Sequence, residues 1–406
     1  MIVIVAESGI GFPNGTAPTA RIMGYAKGLR DAGREVLVLC LNASEPSPPA
    51  TALNTHTRGV VDGVRFEYTS GRTVRQSRLW RRRLTKARGL FAAAARLRRL
   101  AAEGSLDAVL LYSKSPVDAV VIRLATRGRP LLAELCELPF PDARQGSPAA
   151  IRRDAYNRFF FRWFDGVVAI SDLLRRHAQA FGRPGVAVLK VPVMTDVRQF
   201  RPASRTAGAS RIVGYCGYLN QEKDGVVSLM EAFARIAPDL PRAELRLIGD
   251  WWKGTRIPEY RSIAESLGIG QTVAFLGNVP RAEIPELLNS CAVLVLARPR
   301  SAQADAGMPT KVAEYLASGV PTVLTRTGEL ETFLRAGEDA YLVPPGDVGA
   351  LADALRHVLA HPEEAEAVGR RGREVAEKRF DYRTIGLQVS AFVADLDVRP
   401  AGRHPS

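Results

Sequence analysis

The sequence predicts an α/β chain of two doubly wound domains, and three observations lead there. First, 406 residues are too many for one ordinary core and suit two domains of roughly 150–200 residues each. Second, short apolar runs alternate with helix-period stretches. The runs are continuous rather than polar at every other position, as in parallel strands covered on both faces. Third, this alternation breaks once, at Pro202–Ser210 (PASRTAGAS), and then restarts. A small, polar segment bearing Pro and Gly reads as a linker. With 46% hydrophobic and 24% charged residues, the chain has a globular rather than a disordered composition.

In the first half the strand signals are Ile2–Ala6, Val36–Leu41, Ala108–Tyr112, Leu131–Leu135, Val167–Ile170 and Val186–Val191. A helix pattern over Thr19–Ala32 stops at Gly33, a suitable C′ residue. In the second half the strands are Ile212–Cys216, Glu244–Ile248, Val273–Leu276, Ala292–Ala297, Pro321–Leu324 and Ala340–Val343. The expected organisation is a first domain over 1–203, a linker over 204–210, a second domain over 211–380, a last helix over 381–398 and a flexible tail over 399–406. Ligands of such sheets bind beyond the carboxyl ends of the strands. The two rims are therefore expected to face each other across a cleft.

The formal net charge is +14. Nucleic acid, an anionic membrane and an anionic small substrate would all suit it, as would a compositional bias toward Arg. No aromatic–basic interleaving or recognisable nucleic-acid module occurs, so no nucleic-acid partner is expected. Cys40, Cys136, Cys216 and Cys291 form no CxxC pair and read as reduced thiols of a cytoplasmic protein. The opening run Ile2–Ala6 is too short for a signal peptide, and no apolar stretch reaches ~20 residues. Any membrane contact is then peripheral.

Three segments carry candidate chemistry. In Gly307–Thr325 (GMPTKVAEYLASGVPTVLT), Pro309 suits a helix start and Gly319 a helix end. The first turn of such a helix offers unpaired N–H groups and the positive end of a dipole, which together bind phosphate. Thr310 adds a hydroxyl and Lys311 a charge. Glu314 lies one turn on and can accept hydrogen bonds from a ribose diol. The residues alone equally allow an ordinary α/β helix with an accidental Glu. The second segment, Gly214–Gly225, is a strand end and loop carrying Lys223, placed to neutralise a leaving diphosphate or simply solvated. The third, Phe12–Ala17 (FPNGTA), is a Gly-bearing loop that can bring the backbone of Gly15 and Thr16 close to a diphosphate; it is neither GxGxxG nor a P-loop.

Taken together, these segments resemble the family 4 retaining glycosyltransferases of the two-domain GT-B fold, in a subgroup with a GxPTKxxEYLASG-type motif. Phe12–Leu39, Val167–Leu174, Pro192–Pro202, Gly217–Gly225 and above all Pro309–Pro321 carry the resemblance. It implies transfer of a sugar from a nucleotide-sugar donor to an acceptor with retention, by front-face displacement. Lys223 and Glu314 would be the catalytic pair. Gly15, Thr16, Lys223, Thr310 and Lys311 would hold the donor diphosphate, and Glu314 the ribose. Gly277, Asn278 and Val279 would lie near the nucleobase. Asp305, Gly307 and Met308 would lie on the donor-sugar side. The last helix would return to the first domain. No cofactor and no metal ligand set is implied. Two positions depart from the family pattern: Tyr218 stands where Arg is frequent, and Ala306 where a second Glu is frequent, with Asp305 beside it. Lys311 is a candidate replacement for the missing Arg. These departures keep open a non-catalytic relic, and a nucleotide-sugar epimerase of the same fold is a separate alternative.

The acceptor is expected to be a lipid-linked glycan or a small molecule. Glu137, after a first-domain strand and before a Pro turn, is a candidate on the acceptor side. Asp395-Leu-Asp397 forms a DxD string that reads as a solvated helix face. Arg72–Arg99 is densely basic without an acid, and Trp80, Leu84, Ala87, Phe91 and Ala94 keep helical spacing. That stripe could pack on the sheet, or lie on an anionic membrane at its inner face.

Overall fold

The computed structural model describes residues 1–7, 10–46, 52–139, 148–200, 210–251 and 254–398. They form two units: Met1–Met194 joined by the chain from Tyr382 onward, and Thr195–Asp381.

The first unit is built on eight strands: β1 Ile2–Ala6, β2 Val36–Cys40, β3 Arg58–Val61, β4 Val64–Tyr68, β5 Ala108–Tyr112, β6 Leu131–Leu135, β7 Gly166–Ala169 and β8 Ala187–Lys190. Their order is β3-β4-β2-β1-β5-β6-β7-β8. All neighbours are parallel except β3 and β4. β1, β2 and β5 are buried along their whole length, which is why their sequences are uniformly apolar. The edge pair β3–β4 is absent from the strand assignment made on the sequence. It is a hairpin closed by Asp62 and Gly63, both at positive φ (46° and 73°). Asp-Gly in that conformation matches the twist of paired strands.

The helix Ala17–Asp31 begins two residues before the expected start, and Gly33 follows it at φ 81°. It is pinned to β6 by Arg21, whose Nε lies 2.5 Å from Glu134 and whose other donors reach the carbonyls of Val191 and Pro192. Burial pushes the Tyr25 hydroxyl, bonded to the same carboxylate, well above its ordinary pKa. The last helix, Tyr382–Val398, packs on Ala17–Asp31, with Gly28 directly against Gly386. Ile385, Val389, Val393 and Leu396 join the core below β1.

The second unit has six parallel strands: β9 Ile212–Cys216, β10 Glu244–Ile248, β11 Val273–Gly277, β12 Val293–Leu296, β13 Thr322–Thr325 and β14 Tyr341–Val343. Their order is β11-β10-β9-β12-β13-β14, with each pair parallel. All six were legible in the sequence, to within two residues at each end.

The first boundary differs from the expected residue 203. Thr195 donates to Phe380 O (2.9 Å) and bridges Asp381, while Arg373 holds the carbonyls of Phe200 and Ala317. Residues 195–200 are therefore tied into the second unit. The Ser210 hydroxyl, 2.7 Å from Ser290 O, belongs there too. The rest of the expected linker and the tail 399–406 lie outside the described residues.

Candidate functional site

In the second unit the strand order reverses between β9 and β12, and this is where an open parallel sheet leaves a crevice at its carboxyl edge. Two segments reach it from the sequence: the loop after β9, which carries Lys223, and the segment after β12, which leads through Gly307 to the helix Thr310–Ser318.

That helix has Pro309 as N-cap and ends at Gly319, at φ 72°. It is locked under the β9 loop. The Tyr315 hydroxyl sits between the Cys216 amide (2.8 Å) and the Cys216 carbonyl (3.3 Å). Gly217 lies so close to the Lys311 stem that a Cβ there would overlap it. The carboxyl ends of β9, β10 and β11 are equally tight: Gly217 N donates to Ile248 O and Gly249 N to Gly277 O (2.8 and 2.7 Å). Gly277 turns at φ 66°, and Asn278 Oδ1 accepts from Asp250 N at 3.2 Å. The chain then reaches Arg281, whose Nη2 lies 3.0 Å from Glu314 Oε1. The loop 277–279 and Glu314 thus share one edge of the crevice.

On its other edge, Asn220 caps the turn Gln221–Asp224 by accepting from Lys223 N at 2.6 Å. The Lys223 side chain is exposed, with no carboxylate partner among the described residues. Asp224, 2% exposed, accepts from Lys311 Nζ at 2.8 Å, and its Oδ2 lies 3.0 Å from the Tyr215 hydroxyl. Burial pushes the Cys216 thiol up to about 12, so it stays protonated and is no nucleophile at neutral pH.

The match to protein families follows this layout. Residues 210–361 fit the model described as glycosyl transferases group 1, and residues 16–194 fit the glycosyl transferase 4-like domain. The chain belongs to the GT-B glycosyltransferases. The phosphatidyl-myo-inositol mannosyltransferase of Mycobacterium leprae is 24% identical over 72% of this chain and 75% of its own length. The GDP-mannose-dependent phosphatidylinositol monomannoside mannosyltransferase of Mycolicibacterium smegmatis is 27% identical over 57% of this chain; the match spans 62% of that relative. Among solved structures, sucrose-phosphate synthase from Thermosynechococcus elongatus superposes with a TM-score of 0.74 at 18% identity, covering 97% of this chain and 98% of that one. Anabaena HepE in complex with UDP-glucose does so with 0.70 at 19%, covering 97% and 99%.

In this glycosyltransferase the structure revises two expectations. Lys311 does not stand in for the Arg missing at Tyr218, because its ammonium is held by buried Asp224. Met308 is only 8% exposed and turns into the core, so its side chain is withdrawn from the donor-sugar side. Asp305 faces Arg300 at 3.7 Å, and Gly307 packs its carbonyl on Gly328. The Ala306 side chain is fully buried, so a Glu there would have no room without a backbone shift.

Sequence reasoning missed several residues. Arg281 is one Arg in an Arg-rich chain, and only the fold brings it to Glu314. Arg298, buried at the end of β12 and bonded to Gln303 O at 3.5 Å, had a usable signal: a cation directly after an apolar strand.

In the first unit the Gly15 turn leads into the helix Ala17–Asp31. Gly15 and Thr16 are exposed. A Cβ on Gly15 would collide with the Thr19 hydroxyl, itself 2.5 Å from Gly11 O, so only glycine fits. Buried Asn54 clamps the turn, accepting from Asn14 N and donating to Asn14 O and Glu45 (2.9, 2.7 and 2.5 Å). Glu137 is paired with Lys114 after β5, and Glu7 after β1 accepts from Lys114 N at 3.0 Å. The carboxyl ends of β1, β5 and β6 thus gather two carboxylates and one ammonium. Glu7 and Lys114 were not singled out in the sequence.

Proposed function

We propose that this chain transfers a hexosyl group from a nucleoside-diphosphate donor to an acceptor hydroxyl with retention, by front-face displacement and without a metal. The observation that carries the reading is the convergence of an exposed lysine, a helix start and a ribose-competent carboxylate at one strand-order reversal. In this mechanism Lys223 and the first-turn amides of Thr310 and Lys311 take up the charge that develops on the leaving diphosphate. Glu314 accepts the ribose hydroxyls, beside a nucleobase seated on Gly277–Val279. The leaving phosphate oxygen takes the acceptor proton as the sugar–oxygen bond breaks, so the protein acts by positioning and electrostatics. The exposed amides of Gly15 and Thr16 are assigned to a phosphate group, and Asp305 and Gly307 to the sugar. The motif GMPTKVAEYLASG supports placement in the GxPTKxxEYLASG subgroup.

Relatives named for GDP-mannose and phosphatidylinositol substrates, and a neighbour bound to UDP-glucose, suggest the substrate panel. The acceptor is proposed to be a glycan or lipid-linked glycan on the Glu7–Lys114–Glu137 side, met at the cytoplasmic face of a membrane. Incubation with GDP-mannose, UDP-glucose and dTDP-glucose, with and without phosphatidylinositol acceptors, should release nucleoside diphosphate and give an axial product anomer by NMR from an axial donor. A chain that releases none, or that only interconverts the donor sugar, overturns the proposal. So does unchanged turnover in both Lys223→Ala and Glu314→Ala.

A further inference from the structure

The helix Leu79–Ala102 is split along its length. From Gly89 onward it packs through Gly89, Leu90, Ala93, Ala94, Leu97 and Leu100. Before Gly89 no residue of it is buried: Trp80 and Leu84, with Phe91 on the same side, are 57%, 63% and 64% exposed, and Ala87 between them is exposed too. At 100° per residue these four lie within roughly a 60° arc, centred roughly 130° from the packed face. Of this stripe only Ala94 is buried. The exposed part is a separate apolar face.

Its flanks are cationic. Arg81 and Arg88 border the arc on one side and Arg83 on the other, with Arg78, Arg82 and Lys86 behind, and no acid lies among residues 78–88. The Arg81 guanidinium lies 5.2 Å from the centre of the Trp80 ring, an arrangement in which an aromatic body can enter an apolar layer while the charge stays at its surface. A stripe of large apolar side chains bordered by cations on both sides complements one surface above others: acyl chains beneath anionic headgroups. A second copy of the chain would bring two such cation sets together within a Debye length. A nucleic acid would leave Leu84 and Phe91 without apolar cover.

We infer that the Trp80–Phe91 stretch of this helix forms a docking face for an anionic lipid bilayer, with Trp80, Leu84 and Phe91 entering the headgroup–acyl boundary. This goes beyond the transfer reaction and does not depend on it.

The full-length chain should co-sediment with phosphatidylglycerol–phosphatidylcholine vesicles at physiological salt and not with phosphatidylcholine alone. Trp80 emission should shift to the blue on binding, a change absent from Trp80→Phe. Leu84→Ser/Phe91→Ser and Arg81→Glu/Arg88→Glu should each weaken binding by about tenfold or more. Their melting temperature and donor turnover in solution should stay at the parent value, since these side chains are solvent-exposed. No vesicle binding by the parent chain overturns the inference. Loss confined to the charge variant overturns the insertion of the apolar stripe. Dimerisation abolished by Leu84→Ser/Phe91→Ser would assign the face to a second copy, and equal loss of RNA binding to a nucleic acid; either result overturns the lipid assignment.

Discussion

Lys223 and Lys311 look alike in sequence, two lysines beside loops at strand ends, but their surroundings give them opposite roles. Lys223 is exposed, and its charge is available to a ligand. Lys311 neutralises Asp224, which is 2% exposed. Lys311→Ala should therefore cost about 3–5 kcal/mol of stability, because it strands a buried carboxylate. Lys223→Ala should change stability by less than about 0.5 kcal/mol, yet lower kcat by about a hundredfold if its ammonium meets the leaving diphosphate. Urea midpoints and steady-state rates on the two variants separate the roles; equal stability losses would refute the assignment. Arg281 is the third residue to test. It is more than half exposed, so its ion pair with Glu314 contributes about 0–1 kcal/mol to the fold. It occupies one carboxylate oxygen and orients the other. Arg281→Ala should leave stability unchanged and raise donor KM by about fivefold at constant kcat, the signature of lost uniform binding; an unchanged KM would remove Arg281 from the site.

At the scale of elements, one close approach in the first unit is between Ala17–Asp31 and Tyr382–Val398. A Cβ on Gly386 would overlap the Gly28 backbone, so Gly386→Ala must push the helices apart. The expected cost is about 1–3 kcal/mol, read as a lowered urea midpoint; an unchanged midpoint would show that the crossing relaxes freely. The helix Asp172–Phe181 adds a pH effect. Burial, then the nearby Arg153 charge, hold the His177 pKa below its ordinary 6.5, where the ring packs between Phe161 and Phe181. The folded chain thus disfavours the protonated ring. Stability from this group is complete above about pH 6.5 and falls as pH drops toward the depressed folded value. Between pH 7.5 and 5.5, His177→Phe should lose less stability than the parent chain. Such elements also show what a sequence can tell. Buried parallel strands announce themselves as apolar runs, so β1, β2 and β5 to β14 were all legible. The β3–β4 edge pair was overlooked because Arg58–Val61 is exposed and has no apolar run, although Asp62-Gly63 signalled the turn. Local motifs likewise exposed the helix start at Thr310 and the loop at Lys223. The partners that decide their roles, Asp224 for Lys311 and Arg281 for Glu314, sit 87 and 33 residues away along the chain. No local spacing encodes those pairs.

For the whole molecule, the assignment divides the work unevenly between the units. Residues 217–223, 277–281 and 310–314 all belong to Thr195–Asp381, so a nucleoside diphosphate without its sugar should be read by that unit. Binding to the folded state alone stabilises by about 2.7 kcal/mol at a hundredfold excess over Kd. In a domain of this size that raises the melting transition by about 5–10 °C. UDP, GDP and dTDP compared at equal concentration should rank by affinity and so report the base preference of the loop Gly277–Val279. Hydrogen exchange should show where the gain falls. Slowed exchange is expected at Thr310–Glu314 and at the β9 loop, with the amides of β1, β2 and β5 exchanging as before. Because a diphosphate is held largely by charge, the shift should shrink as salt rises from low to physiological ionic strength. If exchange slows only in the first unit, or the melting shift ignores both salt and nucleotide, the anion site is not at the Thr310 helix and the donor assignment fails with it.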